Sequence, residues 1–344
     1  MHSRAITYAL LSAALFGAST PLAKLLVGGI APLALAGLLY LASGVGLGLW
    51  LLIRRQPIVG VPRADWRWLA AAIAAGGIAA PALLMYGLRR TDASTASLLL
   101  NLEAVFTAAL AWVAFRENVD RRIFVGMLAI VAGGVLLSWE QAPRLAGVSG
   151  PLLIAGACLA WALDNNLTRR VSGGDAVTIA ALKGLVAGAV NLALALAMGA
   201  YLPAPGAIVV AGLVGFFGYG VSLVLFIMAL RHLGAARTGA YFSVAPFYGA
   251  ALALLLLGER AGAAFWGAAA LMAIGVWLHV SERHEHEHVH DPLTHSHEHE
   301  HDEHHRHAHE QAWDGEQPHT HLHEHGPLRH RHPHYPDLHH RHRH

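Results

Sequence analysis

The chain has 344 residues, of which 55% are hydrophobic and 13% charged, and its formal net charge is +2. Soluble domains carry about 25% charged residues, so this composition excludes an ordinary soluble protein and indicates an integral membrane protein. The single cysteine, Cys158, excludes an intramolecular disulfide.

Ten apolar runs are predicted to cross the membrane as helices. A helical span needs about 20 apolar residues to cross about 30 Å of hydrocarbon, and the runs do not alternate with the period of two that a strand requires. The first run is interpreted as an uncleaved span rather than a signal peptide, because similar runs follow it. The predicted spans are 5–27, 32–53, 66–88, 94–115, 121–139, 150–168, 176–199, 206–230, 236–257 and 261–280.

The arginines predict the orientation of these spans. If the N-terminus is cytoplasmic, twelve arginines of the body fall in inner segments and four in outer loops, as expected because basic residues accumulate on the cytoplasmic side. An even number of crossings returns the C-terminus to the same side. The sequence therefore predicts a protein of a bacterial-type inner membrane with both termini in the cytoplasm.

An internal repeat relates the two parts of the body. At an offset of 142 residues, AALAWVAFRE (108–117) aligns with AALALLLLGE (250–259), and ALFGASTPLAK (14–24) aligns with LAWALDNNLTR (159–169) at a slightly larger offset. Two domains, 1–141 and 148–281, are predicted, each with five helices. Because five is odd, the second copy is inverted, and inverted repeats place a solute site near the midplane between them.

With these motifs the chain resembles the EamA-type transporters of the drug/metabolite transporter superfamily. The resemblance covers residues 5–280 and includes Phe16-Gly17, LLLNLEAVFTAALAWVAFRENVD and YFSVAPFYGAALALLLLGERAG. It implies a secondary transporter, usually an exporter of small metabolites or drugs. The sequence departs from the family at Phe16, where many members carry Trp, and in its histidine-rich tail.

Two charged residues inside the spans are predicted to form an ion pair. A charge at a helix centre costs about 2.5 to 3.5 kcal/mol. Lys24 lies near the outer end of its span, where snorkelling explains it, but Lys183 lies deeper. Asp164 has a similar depth, so the two are predicted to pair, with neighbouring hydrogen bonds from Asn165 and Asn166. The pair is either a structural latch or a binding site for substrate or protons.

Glu103 is the predicted site of proton coupling. It lies near the middle of the fourth span, where burial disfavours the charged carboxylate, so that it either pairs or takes up a proton. The alternative is a structural hydrogen bond. The residue at the corresponding place in the second copy is Ala245, so the two copies differ chemically here.

Other polar and aromatic side chains are candidates for the wall of a solute pathway. Each of them is, taken singly, more often a packing residue. Proline breaks backbone hydrogen bonds within spans, which is tolerated beside a cavity, and Pro246 is predicted to lie at the level of Glu103. The candidates are Asn101, Tyr86, Tyr241 and Pro246, with Tyr40, Asn191, Tyr219 and Tyr248 as further pathway residues.

The tail, residues 282–344, is predicted to be disordered and to bind metal ions. It holds 23 of the 26 histidines, and imidazole suits zinc, nickel, copper and cobalt better than calcium or magnesium. Metal binding by the tail is either incidental or a means of buffering or sensing metal. The predicted ligands are His284, His286, His288, His290, His295, His297, His299, His301, His319, His321, His323 and His325.

The sequence therefore predicts a secondary-active transporter and not an enzyme. It has no GxxxxGK[ST] motif for nucleotide hydrolysis and no nucleophile–base signature. The predicted function is proton-coupled export of a small organic solute by alternating access, without a required cofactor or a nucleic-acid partner. The alternative is efflux of divalent transition metals, or transport that metal regulates, although the predicted spans offer few metal ligands: Glu103, Asp164 and His279.

Overall fold

The computed structural model describes two compact units, Met1–Glu282 and Arg283–His344. The first unit is helical, and the second contains short strands. The described residues are 2–55, 62, 65–115, 121–140, 148–171 and 175–281 in the first unit, and 285–290, 293–299, 319–325 and 328–333 in the second.

The described helices fall into two successive sets that correspond to the predicted copies. The first set is α1 (His2–Val27), α2 (Pro32–Ile53), α3 (Trp66–Ala72), α4 (Ala80–Leu88), α5 (Ala93–Leu99), α6 (Leu102–Phe115) and α7 (Arg121–Glu140). The second set is α8 (Ser149–Val171), α9 (Ala176–Ala197), α10 (Pro205–Gly215), α11 (Ser222–Phe242), α12 (Ala245–Leu257) and α13 (Ala263–Val280). A π-helical segment joins helices in each set: π1 (Ile73–Ala79) joins α3 to α4, and π2 (Phe216–Val221) joins α10 to α11.

Local sequence signals mark several helix ends. Pro32 and Pro205 occupy the first turns of α2 and α10, where the N–H that proline lacks has no partner within the helix. Asp175 caps α9 by accepting a hydrogen bond from the Thr178 amide at 2.7 Å. Gly258 ends α12 in the left-handed conformation with φ 64°, which glycine adopts without a Cβ clash.

The body is an all-helical integral membrane unit. Within the described residues, six helical stretches are long and apolar enough to cross a membrane: Arg4–Val27, Pro32–Ile53, Trp66–Leu88, Ala93–Leu110, Ala176–Ala197 and Pro205–Ala229. Shorter apolar helices cover Phe124–Trp139, Ala245–Leu257 and Ala263–Leu278. The remaining predicted span, 150–168, falls on α8, which is 23 residues long and more polar. The total of ten crossings stays a prediction.

One predicted span is broken in the structure. The run 94–115 forms two helices, α5 and α6, with an interruption at Leu100–Asn101. The Asn101 Nδ2 atom donates to the Leu98 carbonyl at 3.0 Å, so an amide side chain satisfies a carbonyl at the break. The hydropathy of the run did not indicate this interruption because Leu99, Leu100 and Leu102 are all apolar.

The ninth predicted span, 236–257, is interrupted as well, at Ser243–Val244 between α11 and α12. The chain reverses within α11, between the eighth and ninth predicted spans. The rings of Phe226 and Phe242 lie 4.9 Å apart, whereas sixteen residues of straight helix would separate them by about 24 Å.

The helices α2 and α9 pack closely along glycine-rich faces. A Cβ on Gly44 would overlap the backbone of Leu185, and a Cβ on Gly188 would overlap the backbone of Leu41. Gly188 follows Gly44, and Leu185 follows Leu41, by the same 144 positions, so one contact occurs twice with the copies exchanged. Small residues permit this approach where lipid offers no hydrophobic drive for association.

The helices α7 and α13 show the same reciprocity at the offset of 142. Gly133 lies against Ala268 and Met272, and Gly275 lies against Gly126 and Ile130, which are the corresponding residues of the other copy. In both helix pairs the contacts move backward along one helix as they move forward along the other, so the partners run antiparallel. These are the contacts that an inverted duplication predicts.

The tail contains strands where the sequence predicts disorder. Its described residues form β1 (Glu285–His290), β2 (Leu293–His299), β3 (His319–His325) and β4 (Leu328–Pro333). β1 pairs antiparallel with β4, and β2 with β3. Segments such as HTHLHEH alternate side chains at period two, which suits an extended strand, and antiparallel pairing supplies partners for their backbone N–H and C=O groups.

Candidate functional site

A cavity of about 80 Å³ lies where α1, α2, α6, α8, α9, π2 and α11 meet. A single water needs about 10–15 Å³ on this measure, so the cavity has room for a small organic molecule. Its polar lining consists of Glu103, Asp164, Asn165, Lys183 and Ser222. Of the predicted residues, Glu103, Asp164, Asn165 and Lys183 therefore meet in this cavity, and Tyr40 and Tyr219 from the further pathway residues line it as well.

The predicted ion pair between Asp164 and Lys183 is present. The Lys183 ammonium donates to both carboxylate oxygens of Asp164, at 2.7 and 2.8 Å, and to Thr168 Oγ1 at 3.1 Å. The Thr168 hydroxyl in turn donates to Asp164 Oδ1 at 2.8 Å. The side chains are only 3% and 9% exposed, so the two charges depend on each other and on the threonine for the hydrogen bonds that water would provide.

The predicted hydrogen bonds from Asn165 and Asn166 to this pair were wrong. The Asn165 amide donates instead to Glu103 Oε1 at 2.7 Å, and the Asn166 amide donates to the Ala162 carbonyl within α8 at 2.9 Å. The reason is the helical geometry. Thr168 lies four residues after Asp164 and hence on the same face of α8. Asn165 and Asn166, one and two residues after Asp164, lie on other faces of the helix.

Backbone carbonyls of the segment π1 hold two aromatic residues of the cavity wall, Tyr40 and Trp161. The Gly76 carbonyl accepts hydrogen bonds from the Tyr40 hydroxyl at 2.9 Å and from Trp161 Nε1 at 3.0 Å. The Gly77 carbonyl accepts from Asn191 Nδ2 at 3.1 Å. Side chains thus satisfy carbonyls of an irregular helical segment inside the membrane unit, as such segments require.

Gly76 also positions the ion pair. A Cβ at this residue would overlap the carboxylate of Asp164, so only glycine lets α8 bring that carboxylate against π1. The corresponding residue of the second copy, Gly218, lies against Ser19 in the same way. Glycine is therefore required twice, once beside a charged side chain and once beside a hydroxyl.

Two sets of contacts lie at the end of the unit where α1 finishes, one within the first copy and one between the copies. The Lys24 ammonium donates to the carbonyls of Leu88 and Thr91 at 2.6 and 2.8 Å. The carboxylate of Glu259 accepts hydrogen bonds from the backbone amides of Ala93 and Ser94, both at 2.8 Å. Lys24 thus binds carbonyls after α4, and Glu259 binds free N–H groups at the start of α5; snorkelling alone does not account for Lys24.

Several predicted pathway residues lie elsewhere. Tyr241 packs against a buried cluster formed by Ala5, Ala9, Ala229 and Leu233. The residues Asn101, Tyr86 and Pro246 are absent from the described lining of the cavity, and Tyr248 is 49% exposed on the outside of the body. Hydropathy and residue type placed these side chains at suitable depths, but depth alone does not decide which face of a helix meets the cavity.

Several lining or supporting residues were not predicted from the sequence: Phe16, Trp161, Thr168, Gly218, Ser222, Leu223, Phe226 and Phe242. Thr168 had a signal in its spacing of four from Asp164, and Trp161 aligns with Phe16 in the repeat. Phe226 and Phe242 lie at similar depth on either side of the turn predicted at 231–235, but depth does not decide that their rings meet at the cavity.

The side chains of the predicted metal ligands in the tail lie outside the described part of the structure. Within the described residues there is no group of three or more His, Cys, Asp or Glu side chains suited to hold a metal ion. The side chains of the tail histidines, including those on β1 to β3, are not among the described ones. Metal binding by the tail stays a prediction.

Comparison with known proteins identifies the family of the chain. The model of the EamA-like transporter family matches twice, over residues 3–139 and 148–281. The chain belongs to the EamA-like transporter family. It is thereby part of the drug/metabolite transporter superfamily, as its resemblance implied.

Two curated proteins and a solved structure are similar to parts of the chain. An uncharacterized transporter of Methanothermobacter thermautotrophicus is 29% identical over 265 residues, which cover 71% of this chain and 76% of that protein. A probable 4-amino-4-deoxy-L-arabinose-phosphoundecaprenol flippase subunit of Pseudomonas paraeruginosa is 34% identical over 31% of this chain and 91% of its own. A solved crystal structure superposes with a TM-score of 0.61 at 18% identity, covering 79% of this chain and 95% of that one, and it shows a shared fold.

Proposed function

We propose that this EamA-family protein exports a small organic solute across the inner membrane by secondary-active, alternating-access transport. The observation that carries the proposal is the cavity with Glu103 and the Asp164–Lys183 pair, enclosed by helices of both copies. Ionisable groups inside a membrane unit are costly and occur where a solute or ion pathway needs them. The family and the similar archaeal transporter agree with this function.

The cavity belongs to the cytoplasmic half of the membrane unit if the predicted orientation holds. Asp164 lies seven residues before the end of α8, and Lys183 seven residues after the start of α9. Both ends are cytoplasmic in that orientation, so the pair lies about 10 Å from the inner helix ends. This depth supports a cavity that receives solute from the cytoplasm in the proposed cycle.

The contacts of Lys24 and Glu259 close the outer side in this proposal. They fasten the last turn of α1 and the segment after α12 to the connection between α4 and α5. In the repeat, Arg169 corresponds to Lys24 and Glu117 to Glu259; the side chains of both lie outside the described residues. Exchange of the outer set of contacts for the corresponding inner set would turn the cavity toward the outside.

Glu103 is the proposed site of proton coupling. It is partly exposed and lines the cavity, where it accepts a hydrogen bond from Asn165 at 2.7 Å. The Asp164 carboxylate is already held by Lys183 and Thr168, so Glu103 is the carboxylate better placed to exchange a proton with solution. No cofactor is needed for such a cycle, and the lipid bilayer and the solute are its partners.

Site-directed labelling tests the alternating-access proposal without knowledge of the solute. In a Cys158→Ala background, single cysteines replace Leu223 in the cavity wall and Tyr201, which is 92% exposed. An impermeant maleimide is expected to label Leu223→Cys from the cytoplasmic side and Tyr201→Cys from the outside. Adding Glu259→Gln is expected to weaken the outer closure and increase labelling of Leu223→Cys from the outside.

The opposite labelling pattern would contradict the proposed orientation, and labelling of Leu223→Cys unaffected by Glu259→Gln would contradict the proposed closure. A growth screen of a deletion strain against metals, amino acids and drugs then tests export itself. Complementation by the native chain but not by Asp164→Asn, with equal membrane insertion, is expected. Full complementation by Asp164→Asn would remove the pair from the mechanism.

A further inference from the structure

Aromatic side chains surround the polar groups of the cavity. Six rings line it: Phe16, Tyr40, Trp161, Tyr219, Phe226 and Phe242. They come from α1, α2, α8, π2 and α11, so elements of both copies contribute. Tertiary packing has therefore gathered rings that are distant along the chain.

The rings form one connected cluster with Phe16 at its centre. The Phe16 ring lies 5.7 Å from Trp161, 5.9 Å from Tyr219 and 5.4 Å from Phe242, measured between centroids. Tyr40 joins the cluster through Tyr219 at 5.2 Å, and Phe226 through Phe242 at 4.9 Å. Several of these contacts are edge-to-face, which leaves ring faces directed to other neighbours.

The charges beside these rings leave one carboxylate for a ligand. Asp164 accepts two hydrogen bonds from Lys183 and one from Thr168, so this pair is internally neutralised. Glu103 accepts from the neutral amide of Asn165. Across the described residues, no basic side chain is within ion-pairing distance of Glu103. With Glu103 ionised, the cavity has a net negative charge.

We propose that the solute of this cavity is a small organic cation, an amine or quaternary ammonium compound, held by Glu103 and by the faces of the surrounding rings. The proposal rests on the transport function above and names its substrate class. Aromatic faces attract ammonium groups within about 6 Å of the ring centroid, and a carboxylate adds a charge-assisted contact. An anion would meet Glu103 with no cation free to receive it, since Lys183 is committed to Asp164.

Matched probes of one shape test the charge preference on the native chain. The probes are choline, its uncharged carbon isostere 3,3-dimethylbutan-1-ol and the anion 3,3-dimethylbutanoate, with benzyltrimethylammonium as a larger cation. Binding is measured by calorimetry on the full chain in lipid nanodiscs. At least one of the two cations is expected to bind about tenfold or more tightly than the alcohol and the anion. Binding of the alcohol or the anion as tightly as both cations would overturn the proposal.

Two variants locate the preference in the cavity. Glu103→Gln keeps the shape of the side chain and an acceptor for Asn165, and it is expected to weaken cation binding about tenfold without changing the affinity for the alcohol. Phe16→Leu removes the central ring and is expected to weaken cation binding severalfold. Phe265→Leu is the matched control, because Phe265 is buried outside the described cavity lining. Equal cation affinity in Glu103→Gln and native protein would also overturn the proposal.

Counterflow of labelled solute in proteoliposomes separates this inference from the proposed function. Cation-selective binding without counterflow would remove the transport function and retain the site. Counterflow of the anion or the alcohol, but not of the cations, would retain transport and overturn the substrate class.

Discussion

On α1, Ser19 lies against Gly218, and at the corresponding place on α8, Asp164 lies against Gly76. The Ser19 hydroxyl donates to the Phe16 carbonyl of its own helix at 2.6 Å, whereas Asp164 needs Lys183 from a second helix. At the offset of 144 that relates α2 to α9, the residue corresponding to Lys183 is Leu39, which is fully buried. The same packing position is therefore neutral in one copy and doubly charged in the other.

This difference shows how a near-symmetric frame acquires an asymmetric site. The glycines and the antiparallel helix pairs recur in both copies because they decide how closely the backbones approach. The ionisable residues do not recur, since Glu103 corresponds to Ala245 and the pair corresponds to a serine and a leucine. The frame is thus shared, and the chemistry of the cavity belongs to one side of it.

The largest effect is expected from making the second copy resemble the first. Asp164→Ser alone leaves the buried Lys183 ammonium without its carboxylate and is expected to cost about 3–5 kcal/mol of stability. The double variant Asp164→Ser/Lys183→Leu is expected to recover most of that loss while transport remains abolished. Equilibrium unfolding in mixed micelles and a transport assay measure the two effects. A double variant that transports normally would show that the pair is only a structural latch.

Adding a methyl group to the shared frame is expected to have a smaller and symmetric effect. Gly44→Ala and Gly188→Ala each push a Cβ into the backbone of the facing helix, at an expected cost of about 1–3 kcal/mol. The control is Gly48→Ala, because nothing lies within 4 Å of a Cβ there. Unequal losses in the two variants, by thermal unfolding in nanodiscs, would contradict the reciprocal packing of α2 and α9.

Gly76→Ala is expected to impair transport more than stability. Its Cβ would overlap the Asp164 side chain from the Cβ to the carboxylate, so Asp164 must shift at a cost of about 1–3 kcal/mol, which disturbs its bonds with Lys183. Gly156→Ala is the control, since its Cβ would meet only a Leu83 methyl at 3.5 Å. Transport rate relative to unfolding temperature is the measurement, and unchanged transport by Gly76→Ala would argue against the need for close contact here.

The smallest effect on the membrane unit is expected from deleting the tail, residues 284–344. Loss of its histidines is expected to abolish Zn²⁺ and Ni²⁺ binding by the full chain, because imidazole supplies the ligands, while solute transport is retained. Calorimetry with each metal measures binding. Lower metal tolerance in cells carrying the truncated chain would indicate that the tail buffers or senses metal, and unchanged tolerance would indicate incidental binding.

The sequence predicted only part of the site. It predicted the Asp164–Lys183 pair from equal depth and the cost of burying single charges, and the structure contains that pair. It assigned the neighbouring hydrogen bonds to Asn165 and Asn166, whereas Thr168 supplies one and Asn165 binds Glu103. Four further candidates, Tyr86, Tyr241, Asn101 and Pro246, are not in the described lining of this cavity, since hydropathy gives the depth of a residue and not the neighbour that it faces.

The sequence by itself determined that the chain is an apolar helical membrane protein of the EamA-like family, and it predicted the repeat, because length, hydropathy and internal similarity are properties of the linear chain. Only the tertiary structure decided which residues share the cavity. Phe16, Trp161 and Phe242 lie on different helices, and the predicted turn at 231–235 brings Phe226 and Phe242 to similar depth without deciding that their rings meet. Such contacts depend on helix rotation and on close approach at glycines, and neither leaves a local pattern that the sequence alone reveals.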